Sequence, residues 1–187
     1  MNIHLRKTNV QKSSMSNQEF EVWQRGPAQG VPLLLQPVAH ALLQAVEELE
    51  RYTEDFPSEK LWERPAGVAS VGFHLLHIRG VIDRLFTYAR GEGLSQDQLR
   101  DLAAEKEIPD GTIPPATLVS RVKQQVNAAI VQLKDTTPSA LTEGRELGRK
   151  KIPTTVLGLL FHAAEHTQRH VGQLLVTARM LRADNDS

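Results

Sequence analysis

Between Val38 and Leu181, apolar residues return at spacings of three and four in four long stretches, with prolines and glycines breaking the pattern between them. That period buries one stripe of a helix, and no segment shows the sustained two-residue alternation of a strand. The pattern predicts an all-α chain folded as a four-helix bundle. The first helix is expected to begin near Pro37 and end before Pro57, with Val38, Ala41, Leu42, Ala45, Val46 and Leu49 as its stripe. Ser70 is placed as the N-cap of the second, which runs to about Arg90, ahead of Gly91 and Gly93. Ser95 and Gln98 have the spacing of a capping box, so a short extra helix is expected from there to about Glu107. The third long helix is expected from Pro115 to Lys134 and the fourth from Thr154 to Leu181.

A chain of 187 residues is long enough for one sizeable core, and no internal repeat divides it. We expect a single bundle domain over residues 31–182, a flexible N-terminal tail over 1–30 and a C-terminal tail over 183–187. The 22 basic residues balance 22 acidic ones, so no long-range field attracts nucleic acid or an anionic membrane. No stretch approaches the ~18 consecutive apolar residues of a membrane span, and the start of the chain lacks the apolar run of a signal peptide. The expectation is a cytoplasmic protein with no nucleic-acid or membrane partner. There is no cysteine, which removes disulfides, thiolate ligands and a cysteine nucleophile; thiol chemistry would have to arrive with a ligand.

The last helix carries the chemistry. Leu159, Ala163, His166, His170, Leu174, Thr177 and Leu181 share one face, which places two histidines inside the apolar stripe. A buried imidazole needs a hydrogen bond or a metal for its ring nitrogens, and an i, i+4 pair brings two rings within reach of one ion. His162 extends the row by a turn, but it lies about 12 Å along the axis from His170 and one position off the stripe, so the inner pair is preferred. Two residues of one helix leave a metal short of ligands. The second helix offers His74 and His77, either of which completes a three-histidine set. Gly80 and Gly172 lie where loss of side-chain bulk would let helices approach. His4, in the presumed tail, and His40, on the first helix, read as solvent or edge residues, and Trp23 and Trp62 as hydrophobic anchors. His162-Ala163-Ala164-Glu165-His166 also spells the inverted zinc-peptidase pattern H-x-x-E-H, although that match leaves His170 unexplained.

These residues resemble a known family, the DinB-like or YfiT-like metal-binding four-helix bundles. The likeness spans about Leu33 to Leu181. It rests on Ser70-Val71-Gly72 opening a helix, His77 seven residues after the serine, and Asp83-Arg84-Leu85 before the helix-ending Gly91. It rests more specifically on the run from His166 to Gln173, which is similar to the family's H-x-x-x-H-x-G-Q. By that match His77, His166 and His170 fall on the family's three metal-ligand positions, and His74 and His162 do not. Many members carry arginine where this chain has Val171, a position expected to point away from the ligands.

Three neutral imidazoles leave coordination positions open for water or substrate, as in a catalytic metal site, and imidazole nitrogen suits zinc or nickel most naturally. The resemblance implies a metal-dependent enzyme of small molecules in which one divalent ion activates a low-molecular-weight thiol cosubstrate for transfer to an electrophile. It also implies a homodimer. A metal-dependent hydrolase and a non-catalytic, stress-associated metal- or ligand-binding protein are the alternatives. No catalytic or substrate-binding residue is assigned, and Arg169 and Gln173 read as solvated surface.

Overall fold

The computed structural model describes residues 20–109, 111 and 113–183. Four long helices form a bundle: α1 (Gln36–Thr53), α2 (Val71–Ala89), α4 (Pro115–Asp135) and α5 (Val156–Ala183), with the short α3 (Gln96–Ala104) between the second and third of them. The helix ends follow local chemistry. Pro37 sits in the first turn of α1, and the Ser70 hydroxyl accepts the Phe73 N–H at 3.2 Å to cap α2. Ser95 and Gln98 form both bonds of a capping box at the start of α3. Gly91 follows α2 with φ +79°, a conformation that costs a glycine nothing.

Both α1 and α2 pack against α4 and α5, so α1 and α2 lie diagonally across the bundle. The expected stripes meet in one core that includes Leu42, Leu49, Ile78, Ile82, Leu133, Leu159 and Leu160, each at most 2% exposed. At one end the Trp62 ring lies against α2 where Gly72 has no side chain; a Cβ there would come within 2.7 Å of three ring atoms. Trp62 is thus the anchor it was expected to be. Trp23 is not, being 60% exposed with its indole N–H donating to Glu21.

Two features differ from the sequence expectation. Residues 20–30, within the stretch expected as a tail, lie against α1: the Val22 N–H donates to Gln44 Oε1, Arg25 forks onto Glu47, and Gln36 closes the turn by bonding both Ala28 and Val31. The remainder of that expected tail, with His4, lies outside the described residues. The second is a small antiparallel hairpin, β1 (Gly144–Leu147) and β2 (Ile152–Thr155), in register Gly144↔Thr155 to Leu147↔Ile152. It takes the two residues expected to open the last helix, so α5 starts at Val156, where the Thr155 hydroxyl accepts the Gly158 N–H. From β1, Arg145 Nε donates to the Ala89 carbonyl and satisfies an orphan acceptor at the end of α2. Among the described residues, no helix is long and apolar enough to cross a membrane.

Candidate metal centre

Where α2 packs on α5, the four histidines of the core face meet. His77, His166 and His170 each present a nitrogen within 4.8 Å of the other two, from two helices that diverge by 89 to 93 residues in sequence but touch in the bundle. The Nε2 atoms of His77 and His166 are 3.0 Å apart. Ring centroids are separated by 4.5 Å for His77 and His170 and by 4.6 Å for His166 and His170. Phe73, one turn before His77, stacks on its ring with centroids 5.3 Å apart and planes at 11°.

Each ring is held differently. His77 Nδ1–H donates to Glu105 Oε2 at 2.8 Å, which leaves its Nε2 lone pair directed at the cluster. His170 Nδ1 is 2.9 Å from His74 Nδ1, a hydrogen bond that fixes the His170 ring from behind. His166 Nδ1 is buried with no hydrogen-bond partner among the described residues. Burial, followed by the mutual repulsion of neighbouring rings, lowers the pKa of His166 below the ordinary histidine range and brings that of His170 down to about 3. The His166 and His170 imidazoles are therefore neutral at physiological pH and keep lone pairs for a ligand. His74, 2% exposed, is pushed down to about 4 by burial and then by His77.

The donor set fits a divalent ion. Two imidazole nitrogens bound to one tetrahedral ion at ~2.0–2.1 Å would lie roughly 3.3 Å apart, near the spacing that His77 and His166 already hold. The absence of a thiolate or a converging carboxylate in this group agrees with an all-imidazole site.

A second group, His162, Glu165 and His166, also lies within 4.8 Å and shares His166 with the first. Its members are more engaged with one another: Glu165 accepts from His162 Nδ1 at 2.6 Å and from Arg169 at 2.7 Å. Glu165 is thus occupied by two neighbours where the inverted peptidase pattern would use it as a free base. Arg169 and Gln173 are exposed, and His40 sits at the edge of the bundle with Nε2 3.1 Å from the Gly26 carbonyl. Gly172 faces open space, and the room left at Gly80 is filled by the side chains of Glu105 and Arg84, so neither glycine brings two helices together. Val171 is buried.

A sequence model of the DinB superfamily matches residues 41–174, most of the chain and all of the clustered histidines. The chain belongs to the DinB superfamily. The match runs from within α1 to just past His170 in α5, so most of the bundle and all of the three-histidine cluster fall inside the DinB region. Comparison with curated proteins gives no match.

Sequence reading did not find Glu105. It stands just past the end of α3, 7% exposed, with no motif marking it; only the packing of α3 on α2 brings it to His77. A cleft of about 1140 Å³ opens elsewhere, between α1 and α4 beside Phe20, and none of the clustered histidines lines it.

The low pKa values carry a stability consequence. Between the ordinary histidine pKa of about 6.5 and the folded values, the unfolded chain binds more protons than the folded one, so stability falls as pH is lowered through that window. For His74 alone the loss from pH 7 to pH 4 is on the order of 3 kcal/mol. Urea midpoints of metal-stripped protein should decline steadily across that range, and a flat profile would show that these rings do not stay neutral in the fold.

Proposed function

We propose that this protein is a divalent-metal-dependent enzyme in which His77, His166 and His170 hold the ion, zinc or nickel, and a low-molecular-weight thiol serves as cosubstrate in transfer to a small electrophile. The observation that carries the reading is the convergence of three imidazoles from two helices, with a carboxylate behind one and a fourth histidine behind another. A bound divalent ion supplies Lewis acidity, which lowers the pKa of a thiol or a water molecule brought to it. The chain's own part is to hold the His77 ring through Glu105 and the His170 ring through His74, and to leave the cluster partly open, since His77, His166 and His170 are all of intermediate exposure. Family membership and the absence of cysteine support an imported thiol over a protein nucleophile.

Exposed Phe161, Val176 and Met180 on α5 support a homodimer as the working assembly. The activity test is conjugation of a panel of electrophiles by metal-loaded protein with common cellular thiols. Turnover that requires both metal and thiol is the expected result. Ester or amide hydrolysis without thiol would replace the transferase with a hydrolase, and metal uptake with no turnover would make the protein a binding protein.

A further inference from the structure

We infer that Glu105 is a positioning residue for the histidine cluster, and that the short helix α3 exists to deliver it. The inference rests on the reading of His77 as a metal ligand. α3 contributes no buried residue of its own, so it adds nothing to the core that would explain its retention between two bundle helices. It is fastened to α2 by polar contacts: Gln98 donates to Asp83 at 3.0 Å and to the Thr87 hydroxyl at 2.8 Å, and Arg79 pairs with Asp101 at 2.7 Å. Just past its end stands the buried Glu105, which is 7% exposed.

Both carboxylate oxygens are committed. Oε2 accepts the His77 Nδ1–H at 2.8 Å, and Oε1 accepts from the Arg84 guanidinium, itself nearly buried. A carboxylate on Nδ1–H fixes the tautomer in which Nε2 carries the lone pair, sets the ring plane, and raises the basicity of that nitrogen. Arg84 fixes the carboxylate in turn, because a guanidinium held against one oxygen leaves the other aimed at His77. Gly80 makes room for the pair: a Cβ there would collide with the ends of both Glu105 and Arg84. His77, Gly80 and Arg84 lie at spacings of three and four on one face of α2, so a single face supplies the ring, the space and the cation.

The test is zinc affinity of metal-stripped full-length protein by competition with a chromophoric chelator, with folding of each variant followed by circular dichroism. Glu105→Leu should weaken binding about 10–100-fold at unchanged stoichiometry. Glu105→Gln keeps an acceptor for the His77 N–H and should lose less. Gly80→Ala deletes no charge yet displaces both side chains, and should also weaken binding; it decides the matter if Glu105→Leu fails to fold. The cobalt-substituted protein should show a shifted ligand-field spectrum in the same variants, which a purely structural role would not produce. Affinities within twofold of wild type in folded Glu105→Leu, or in Gly80→Ala where Glu105→Leu does not fold, with binding abolished by His170→Ala, would overturn the role of Glu105 alone. A wild-type protein that takes up no zinc, or binding that survives His170→Ala, would overturn the ligand reading and this inference with it.

Discussion

Untagged wild-type protein should carry about one equivalent of a divalent metal per chain by elemental mass spectrometry, and His166→Ala and His170→Ala should each carry almost none. Removing either imidazole leaves two nitrogens of the cluster, too few to compete with water and buffer for the ion, so the loss should exceed the ~10–100-fold expected for an outer residue. His170→Ala has an added cost. It strips buried His74 of its partner at 2.9 Å, which amounts to roughly 1–3 kcal/mol for an unsatisfied buried group. His166→Ala removes a ring whose Nδ1 already lacks a partner and should be the milder change for the fold. His162→Ala separates the two overlapping groups that share His166. Retained metal in His162→Ala, with loss in His170→Ala, assigns the ion to the cluster between α2 and α5; the reverse pattern assigns it to His162, Glu165 and His166. Full occupancy in all three variants would make these histidines packing residues.

Arg84→Met should destabilise the fold by about 3–5 kcal/mol, among the largest effects of any single substitution outside the apolar core. The Arg84 and Glu105 side chains are only 11% and 8% exposed, so the pair sits where solvent cannot replace a missing partner. Methionine keeps most of the volume of the arginine stem, which separates the lost charge from lost packing. The Glu105 carboxylate would be left with His77 as its hydrogen-bond partner and no cation. The surface pairs give the contrast. Arg100 with Asp97, both more than 70% exposed, should contribute little, and Arg100→Met should shift the urea midpoint hardly at all. Equal, small shifts for the two substitutions would mean that water reaches Glu105 and that its contact with His77 is incidental.

Much of the bundle was legible in the sequence because helix formation is local. Ser70, the Ser95 and Gln98 box, Pro37 and Pro115 act within one turn of where they stand, and the stripes of α1, α2, α4 and α5 mark their buried faces without reference to any partner. The hairpin was not legible: each strand is four residues long, contains proline or charged residues, and is stabilised by pairing with the other and by Arg145 reaching the end of α2. The contacts of residues 20–30 along α1 are likewise invisible locally, since Arg25 and Glu47 are 22 positions apart with nothing in either to announce the other.

The same division runs through the candidate site. The sequence by itself determined that His166 and His170 share the buried face of one helix and that His74 and His77 lie on another, because side-chain direction follows from helical period alone. The family resemblance already singled out His77 on the second helix; that His74 supports His170 from behind, and that a glutamate from just past a short polar helix completes the surroundings, were decided only by tertiary structure. Those outcomes depend on the rotation and separation of α2, α3 and α5 about one another, which are set by the packing of the whole core and leave no trace in the spacing of any one segment.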